Sequence, residues 1–286
     1  MDHIKQTMGM LEIDTLLETA ITASLEAGEA IMQVYNTAFD VEFKDDKSPL
    51  TKADQEANAI INSHLLGTEI PIISEENKQI NFNTRRGWNT CWIVDPVDGT
   101  KEFVKRNGEF TVNIALVVNE APVLGVIYVP VTKELYYSQP DQKKAFKASL
   151  ETHKSALDEV FRRSAELKPK SSSIGTTQVV GSRSHMNSET IVFVENLKKR
   201  GKHVEIVSKG SSLKFCLIAE GKADVYPRFA PTMEWDTAAG HAICNAVDVE
   251  VIARDTNKPL KYNKENLLNP YFLVSSNESL SQYVIE

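Results

Sequence analysis

The sequence predicts an α/β (α+β) layered sandwich: an antiparallel-sheet N-terminal lobe over residues 1–172, then a mixed-sheet C-terminal lobe over residues 173–286. Three observations carry that prediction. FTVNIALVV and APVLGVIYVP are separated only by Asn119 and Glu120, the pattern of an antiparallel hairpin. Strand-like and helix-like segments alternate through the second half, as in a mixed α/β layer. Between the halves, residues 150–173 are charged and Ser-rich, which places the lobe boundary there.

The elements follow in chain order. Leu17, Ala20, Ile21, Ser24, Leu25, Gly28, Ile31, Met32 and Tyr35 recur at helical spacing, and Thr15 with Glu18 reads as a capping box. VEFK is a short strand and DDKSPLT a loop. A second helix starts near Thr51, with Ala57, Ile60, Ile61 and Leu65 on its apolar face. PIIS is a short buried strand ending at Glu75 and Glu76, and the polar stretch NKQINFNTRRGWNT is a loop. After the hairpin, ELYYS and KAFKAS extend the same sheet. In the second half TQVVGS, HVEIVS, ADVYP, VEVIA and YFLVSS read as strands. SETIVFVENLKKR, SSLKFCLIAEG (closed by Gly221) and EWDTAAGHAICNAV read as helices.

With 286 residues, 42% hydrophobic and 25% charged, the chain has ample material for a core. Its net charge of −7 disfavours a nucleic-acid polymer as partner, while a local cationic pocket for a small anion stays compatible with it. No run approaches the roughly 18 apolar residues of a transmembrane segment, and the acid-bearing N-terminus does not read as a secretion signal. Cys91, Cys216 and Cys244 are odd in number and form no CxxC pair, which points to a reducing cytoplasm rather than a disulfide framework or a zinc site. The expected location is cytoplasmic, with peripheral membrane association left open.

The apolar run of CWIVDPVDGTKEF ends in Asp95 and Asp98, followed at once by Gly99 and Thr100. Taken alone, DPVDG is ordinary turn chemistry. In context, a buried strand delivering two carboxylates to one turn brings them within reach of a single ion; unpaired, they would repel and titrate high. Oxygen ligands suit a hard cation such as Mg2+. Gly99 lets the backbone come close, and the amides after it suit a phosphate oxygen. Glu75, at the mouth of PIIS, and Asp236, at the start of a small-residue helix, are further acids at element ends. Singly, they read as a solvated loop acid and a helix-start acid facing the dipole.

Together SPLTKAD, PIISEE, WIVDPVDGTKEF and EWDTAAGHAI, within residues 48–243, resemble the inositol monophosphatase superfamily of Mg2+-dependent, lithium-sensitive phosphatases. The resemblance implies an inositol monophosphatase-like fold acting as one catalytic unit. It implies metal ligation by Glu75, Asp95, Asp98, Asp236 and the Val97 carbonyl, with two or three Mg2+ ions and inhibition by Li+. Thr100 and Asp54 become the dyad that polarises the attacking water, and Glu75 joins them among the catalytic residues. Physically this is metal-ion catalysis with cations roughly 3.5–4 Å apart, without a covalent phosphoenzyme. The chain departs from the family at CNAVDVEV, where a glycine pair usually precedes the strand.

DGTKEF, in place of the DGTTNF common in inositol monophosphatases, is similar to the 3'(2'),5'-bisphosphate nucleotidases, which cleave 3'-phosphoadenosine 5'-phosphate to AMP and phosphate. GSRSH (181–185) and KGSSLKFCLIAEGKADVYPR (209–228) resemble that branch's nucleotide site. The resemblance assigns substrate contacts to Gly99, Thr100, Lys101, Ser182, His185, Ser211, Ser212, Lys214, Arg228 and Asp236. Lys214 and Arg228 offer charge-assisted bonds to a second phosphate, Ser211 and Ser212 offer hydroxyls, and His185 meets the nucleoside. Without the resemblance, Lys214 reads as an exposed helix lysine, Arg228 as a strand end and His185 as a loop histidine. The expected partner is a small-molecule nucleotide, and a homodimer is compatible with the chain. Two alternatives stand beside this reading: an inositol (poly)phosphate or sugar phosphate phosphatase of the same superfamily, and a non-catalytic nucleotide or metal sensor.

Overall fold

The structure is a computed structural model that describes residues 10–38, 41–43, 49–170, 175–181, 187–276 and 283. Helix α1 (Met10–Tyr35) starts upstream of Thr15, so the capping box expected at Thr15 and Glu18 falls inside a helix. The reason is apolar: Ile13, Leu16 and Leu17 are all buried, and the Thr15 carbonyl accepts from the Thr19 hydroxyl. Strand β1 (Val41–Phe43) pairs antiparallel with β2 (Pro49–Thr51), so DDKSPLT ends in strand rather than loop; residues 44–48 lie outside the described ones. A capping box does open α2 (Lys52–Leu65). There the Thr51 hydroxyl accepts from the Ala53 amide at 3.2 Å and Asp54 accepts from the Thr51 amide at 2.7 Å.

Strand β3 (Ile72–Ser74) runs parallel to β4 (Thr90–Asp98). The polar stretch between them is not all loop: it holds α3 (Phe82–Arg85), fixed because buried Arg85 donates to Asn263 and to the carbonyls of Lys264 and Glu265. After α4 (Thr100–Val104) come β5 (Thr111–Val118), β6 (Ala121–Val129), β7 (Glu134–Gln139) and β8 (Lys144–Ser149). Asn119 and Glu120 have φ of 50° and 65°, the left-handed pair that a two-residue hairpin turn requires. Helix α5 (Leu157–Arg162) and strand β9 (Ser164–Glu166) follow. Residues 150–166 are therefore not a linker: β9 pairs with β8, and Leu150 and Val160 enter the core. The expected boundary at 172/173 lies outside the described residues. Strands β3 to β9 form one seven-stranded sheet in chain order, antiparallel except for β3–β4.

The second sheet is built from β10 (Thr176–Gly181), α6 (Ser188–Lys199), β11 (His203–Ser208), α7 (Leu213–Ala219), β12 (Val225–Arg228), α8 (Ala238–Asn245), β13 (Val249–Ala253) and β14 (Phe272–Ser276). Its order is β11-β10-β12-β14-β13, parallel on the β10 side and antiparallel around β14, hence mixed. The Asp248 residue ahead of β13 has a φ of 57°, adopting the left-handed turn without the family's glycine pair.

Side-chain alternation shows how the layers stack. Strand β5 is buried along its whole length. Its Val112, Ile114 and Leu116 join the core under α1 and α2, while Ala115 and Val117 join the core shared with α7 and α8. A strand covered on both faces reads as a continuous apolar run, which is why the sequence shows no alternation there. Small residues let α8 lie close on the sheet: a Cβ on Gly125 would stand 2.3 Å from the Ala239 carbonyl oxygen. Phe193, Val194 and Leu197 of α6 cover the far face of the second sheet. The layers run helices, sheet, helices, sheet, helix. Among the described residues no helix is long and apolar enough to cross a membrane.

Candidate active site

The end of β4 is shaped by a bulge. Asp95 lies opposite Asn113 and Asp98 opposite Thr111, so β4 takes one more step than β5 does between these pairs. On a regular strand, residues three apart face opposite sides of the sheet. The extra residue cancels that inversion and lets both carboxylates face the same way. Pro96, lacking an N–H, loses no ladder bond in such a bulge. The Val97 amide donates to Asp95 Oδ1 at 3.0 Å and fixes that carboxylate. Gly99 follows with φ of 92°, and a Cβ there would press on the Glu109 carbonyl and Ser211 Cβ, each at 3.3 Å.

One oxygen from each of Asp95, Asp98 and Asp236 lies within 4.8 Å of the others. Asp236 comes from the turn before α8, where the Met233 amide donates to its Oδ2 at 2.8 Å. Glu75 follows β3 and is anchored by its amide to the Val94 carbonyl at 3.2 Å. Desolvation holds the Asp95 carboxyl well above the usual carboxylate range, and Glu75, Asp98, Asp236 and Asp54 add repulsion in that order. Asp98 is also raised, chiefly by desolvation, against the pull of Lys214. Asp236 is raised to about 7 by desolvation, then by the Asp98 charge. A donor set made only of carboxylate oxygens that repel one another fits a hard cation, which would relieve the repulsion directly.

Thr100 and Asp54 do meet. The Thr100 hydroxyl lies 3.2 Å from Asp54 Oδ1 and 3.2 Å from the Val97 carbonyl. The other Asp54 oxygen accepts from the Thr51 amide and hydroxyl at 2.7 and 2.6 Å, so the α2 capping box doubles as the clamp on this acid.

A brace that the sequence reading missed ties the start of α7 to the first sheet at Asp98. Asp98 Oδ2 accepts from the Ser212 amide at 2.6 Å and from Asn113 Nδ2 at 3.1 Å; the Ser212 hydroxyl donates to Asn113 Oδ1 at 2.7 Å. Ser212 is buried and does not line the cavity. The available signal was Asn113 itself, a lone amide in FTVNIALVV.

Beside the acids opens a cavity of about 330 Å³. Asp98, Gly99 and Asp236 line it, as do Ser211, Lys214 and Arg228. Lys101 does not; it is exposed on α4, and Lys105 and Lys209 line the cavity instead. Ser182 and His185 lie outside the described residues. Lys214 is buried, donates to the Ser211 carbonyl at 2.7 Å and stands 5.8 Å from the Tyr226 ring centroid. Desolvation pushes its ammonium down to about 8, opposed by the Asp98 charge. Arg228 is steadied by a 2.8 Å bond from Nη2 to the Pro231 carbonyl.

The chain is similar to known proteins in both sequence and fold. Residues 12–286 match the profile of the inositol monophosphatase family. The chain is 45% identical over 265 residues to the Salmonella typhimurium protein named 3'(2'),5'-bisphosphate nucleotidase CysQ, covering 91% of this chain and 99% of that one. A Haemophilus influenzae protein of the same name is 32% identical over 272 residues, covering 92% and 94%. Among solved structures, CysQ from Bacteroides thetaiotaomicron superposes with a TM-score of 0.83 at 50% identity, covering 93% of this chain and 98% of that one. The inositol monophosphatase of Thermotoga maritima, at 21% identity and a TM-score of 0.70 over 94% and 95%, shares the fold.

Proposed function

The chain belongs to the inositol monophosphatase family, and from that premise we propose that it hydrolyses the 3'-phosphate of 3'-phosphoadenosine 5'-phosphate to AMP and phosphate. The observation that carries this reading is the shared lining of one cavity by Asp98 and Asp236 together with Lys214 and Arg228. An acid cluster for a metal-bound phosphate, with two cations beside it, suits a substrate bearing two phosphates. The names of the relatives point to the same substrate.

Glu75, Asp95, Asp98, Asp236 and the Val97 carbonyl are the groups that would hold two or three Mg2+ ions. When bound, Mg2+ supplies an acidified water and neutralises charge on the transferring phosphoryl group. Asp54 Oδ1 accepts a hydrogen bond from the Thr100 hydroxyl, which leaves a lone pair of Thr100 Oγ1 to accept from the attacking water and orient it in line. Asp98 is held still meanwhile by Ser212 and Asn113. Lys214 Nζ and the Arg228 guanidinium bind the phosphate that does not react, which also returns Lys214 fully to its charged form. Cys91, Cys216 and Cys244 are buried free thiols, in keeping with a reducing cytoplasm. No observation supports peripheral membrane association.

The test is phosphate release from 3'-phosphoadenosine 5'-phosphate beside inositol 1-phosphate, with Mg2+ and then with added Li+. Preference for the nucleotide with inhibition by Li+ is the expected result. Preference for the inositol compound would overturn the roles given to Lys214 and Arg228, and release from neither would remove the catalytic reading.

A further inference from the structure

Four buried side-chain polar atoms among the described residues have no hydrogen-bond partner: Asp141 Oδ1, Thr177 Oγ1, Arg228 Nε and Thr232 Oγ1. Two of the four, Arg228 Nε and Thr232 Oγ1, belong to residues lining the same cavity, beside the acid cluster. Thr232 is only 7% exposed. Buried polar atoms without partners are rare because desolvation is not repaid, and two on residues that line one cavity point to a ligand that completes them.

From this we propose that Thr232 is a specificity residue: its hydroxyl, together with Arg228 Nε, receives an oxygen of the non-reacting phosphate. The inference rests on the functional reading above and adds a residue to it. Both groups sit on one turn. Arg228 ends β12, and its Nη2 bond to the Pro231 carbonyl fixes the guanidinium against the residue before Thr232. The Thr232 carbonyl accepts from the Asn269 amide at 2.9 Å, and the next residue, Met233, donates its amide to Asp236. The turn therefore sets the distance between the acid cluster and this pair of donors.

The donor chemistry selects the ligand. Arg228 Nε can only donate, and the Thr232 hydroxyl on the same turn offers a second donor; an anionic oxygen satisfies such donors better than a neutral group does. Lys214, on the same cavity, adds positive charge. Asp98 and Asp236 repel a bare anion, so a phosphate beside the acids is one that a bound cation would screen, the reacting one, and the Thr232 and Arg228 pair meets the other.

The experiment replaces Thr232 by Val, which keeps the shape and removes the hydroxyl. It compares 3'-phosphoadenosine 5'-phosphate with adenosine 3'-monophosphate, and measures calorimetric Kd values for 5'-AMP and adenosine. The ratio of kcat/KM, bisphosphate over monophosphate, is expected to fall roughly tenfold or more, through KM, the size of one hydrogen bond to a charged group. Affinity for 5'-AMP falls by a similar factor, that for adenosine by much less, and Thr232→Ser restores both. Thr232→Ala serves as a second hydroxyl-free variant should the Val protein fold poorly. An unmoved ratio and unmoved 5'-AMP affinity would overturn the proposal, and so would equal losses for adenosine and 5'-AMP, which place the hydroxyl on the nucleoside. Wild-type protein that releases no phosphate would overturn the functional reading instead, and the 5'-AMP against adenosine comparison would then decide Thr232 alone.

Discussion

Asp236→Asn should make the metal-free protein more stable while removing its activity. In the folded chain the Asp236 carboxyl titrates at about 7 against an ordinary 3.8, raised by desolvation and the Asp98 charge. For a carboxyl raised on folding, stability is full below the unfolded value and is lost as pH climbs through the folded one. The window is therefore about pH 4 to 7, and near pH 7.5 the shift corresponds to roughly 4 kcal/mol. Asp236 is half-buried, so solvent screens part of this, and about 2–3 kcal/mol is the expected relief. Asparagine keeps an oxygen for the Met233 amide, so the turn should survive. In chelator at pH 7.5 the variant's Tm should rise by roughly 5–10 °C, with the gain shrinking toward pH 4. Added Mg2+ should stabilise wild type more than the variant, whose turnover drops by roughly a hundredfold or more. A variant that melts below wild type in chelator, or gains as much from Mg2+, would refute the argument that these acids are held against mutual repulsion for a cation.

Asp95→Asn should abolish phosphate release in a protein whose circular dichroism matches wild type; near-normal turnover would remove Asp95 from the metal set. Lys214→Ala and Arg228→Ala should each raise KM for 3'-phosphoadenosine 5'-phosphate roughly tenfold or more, and change inositol 1-phosphate cleavage far less in the same assay. Gly125→Ala should lower stability by about 1–3 kcal/mol in urea titrations, because its Cβ would stand 2.3 Å from the Ala239 carbonyl oxygen; a neutral result would mean that α8 rests on the sheet more loosely than the geometry shows.

What the sequence made legible is what is encoded within one segment. Asp95 and Asp98 could be paired on one turn because the bulge that reorients them is made by the residues between them, Pro96 and Val97. The Asn119–Glu120 hairpin was readable for the same reason, since two residues supply the whole turn. Thr15 misled because a favourable cap-and-acid spacing is a weak local preference, and burial of Ile13, Leu16 and Leu17 extends the helix past it. The surroundings of Ser212 were illegible for a deeper reason. A serine beside a cationic helix looks like a phosphate donor until Asn113, on another sheet, takes its hydroxyl and Asp98 its amide. The convergence of Asp236 with Asp95 and Asp98 was equally beyond spacing, since it depends on α8 lying against Gly125 of the first sheet. Resemblance supplied that convergence; the packing explains it. The carboxylates come from β4 and the start of α8, the cations from α7 and β12, and they meet where these elements line one cavity. The site is therefore a product of layer packing as much as of motif, which is why its braces carry no motif of their own.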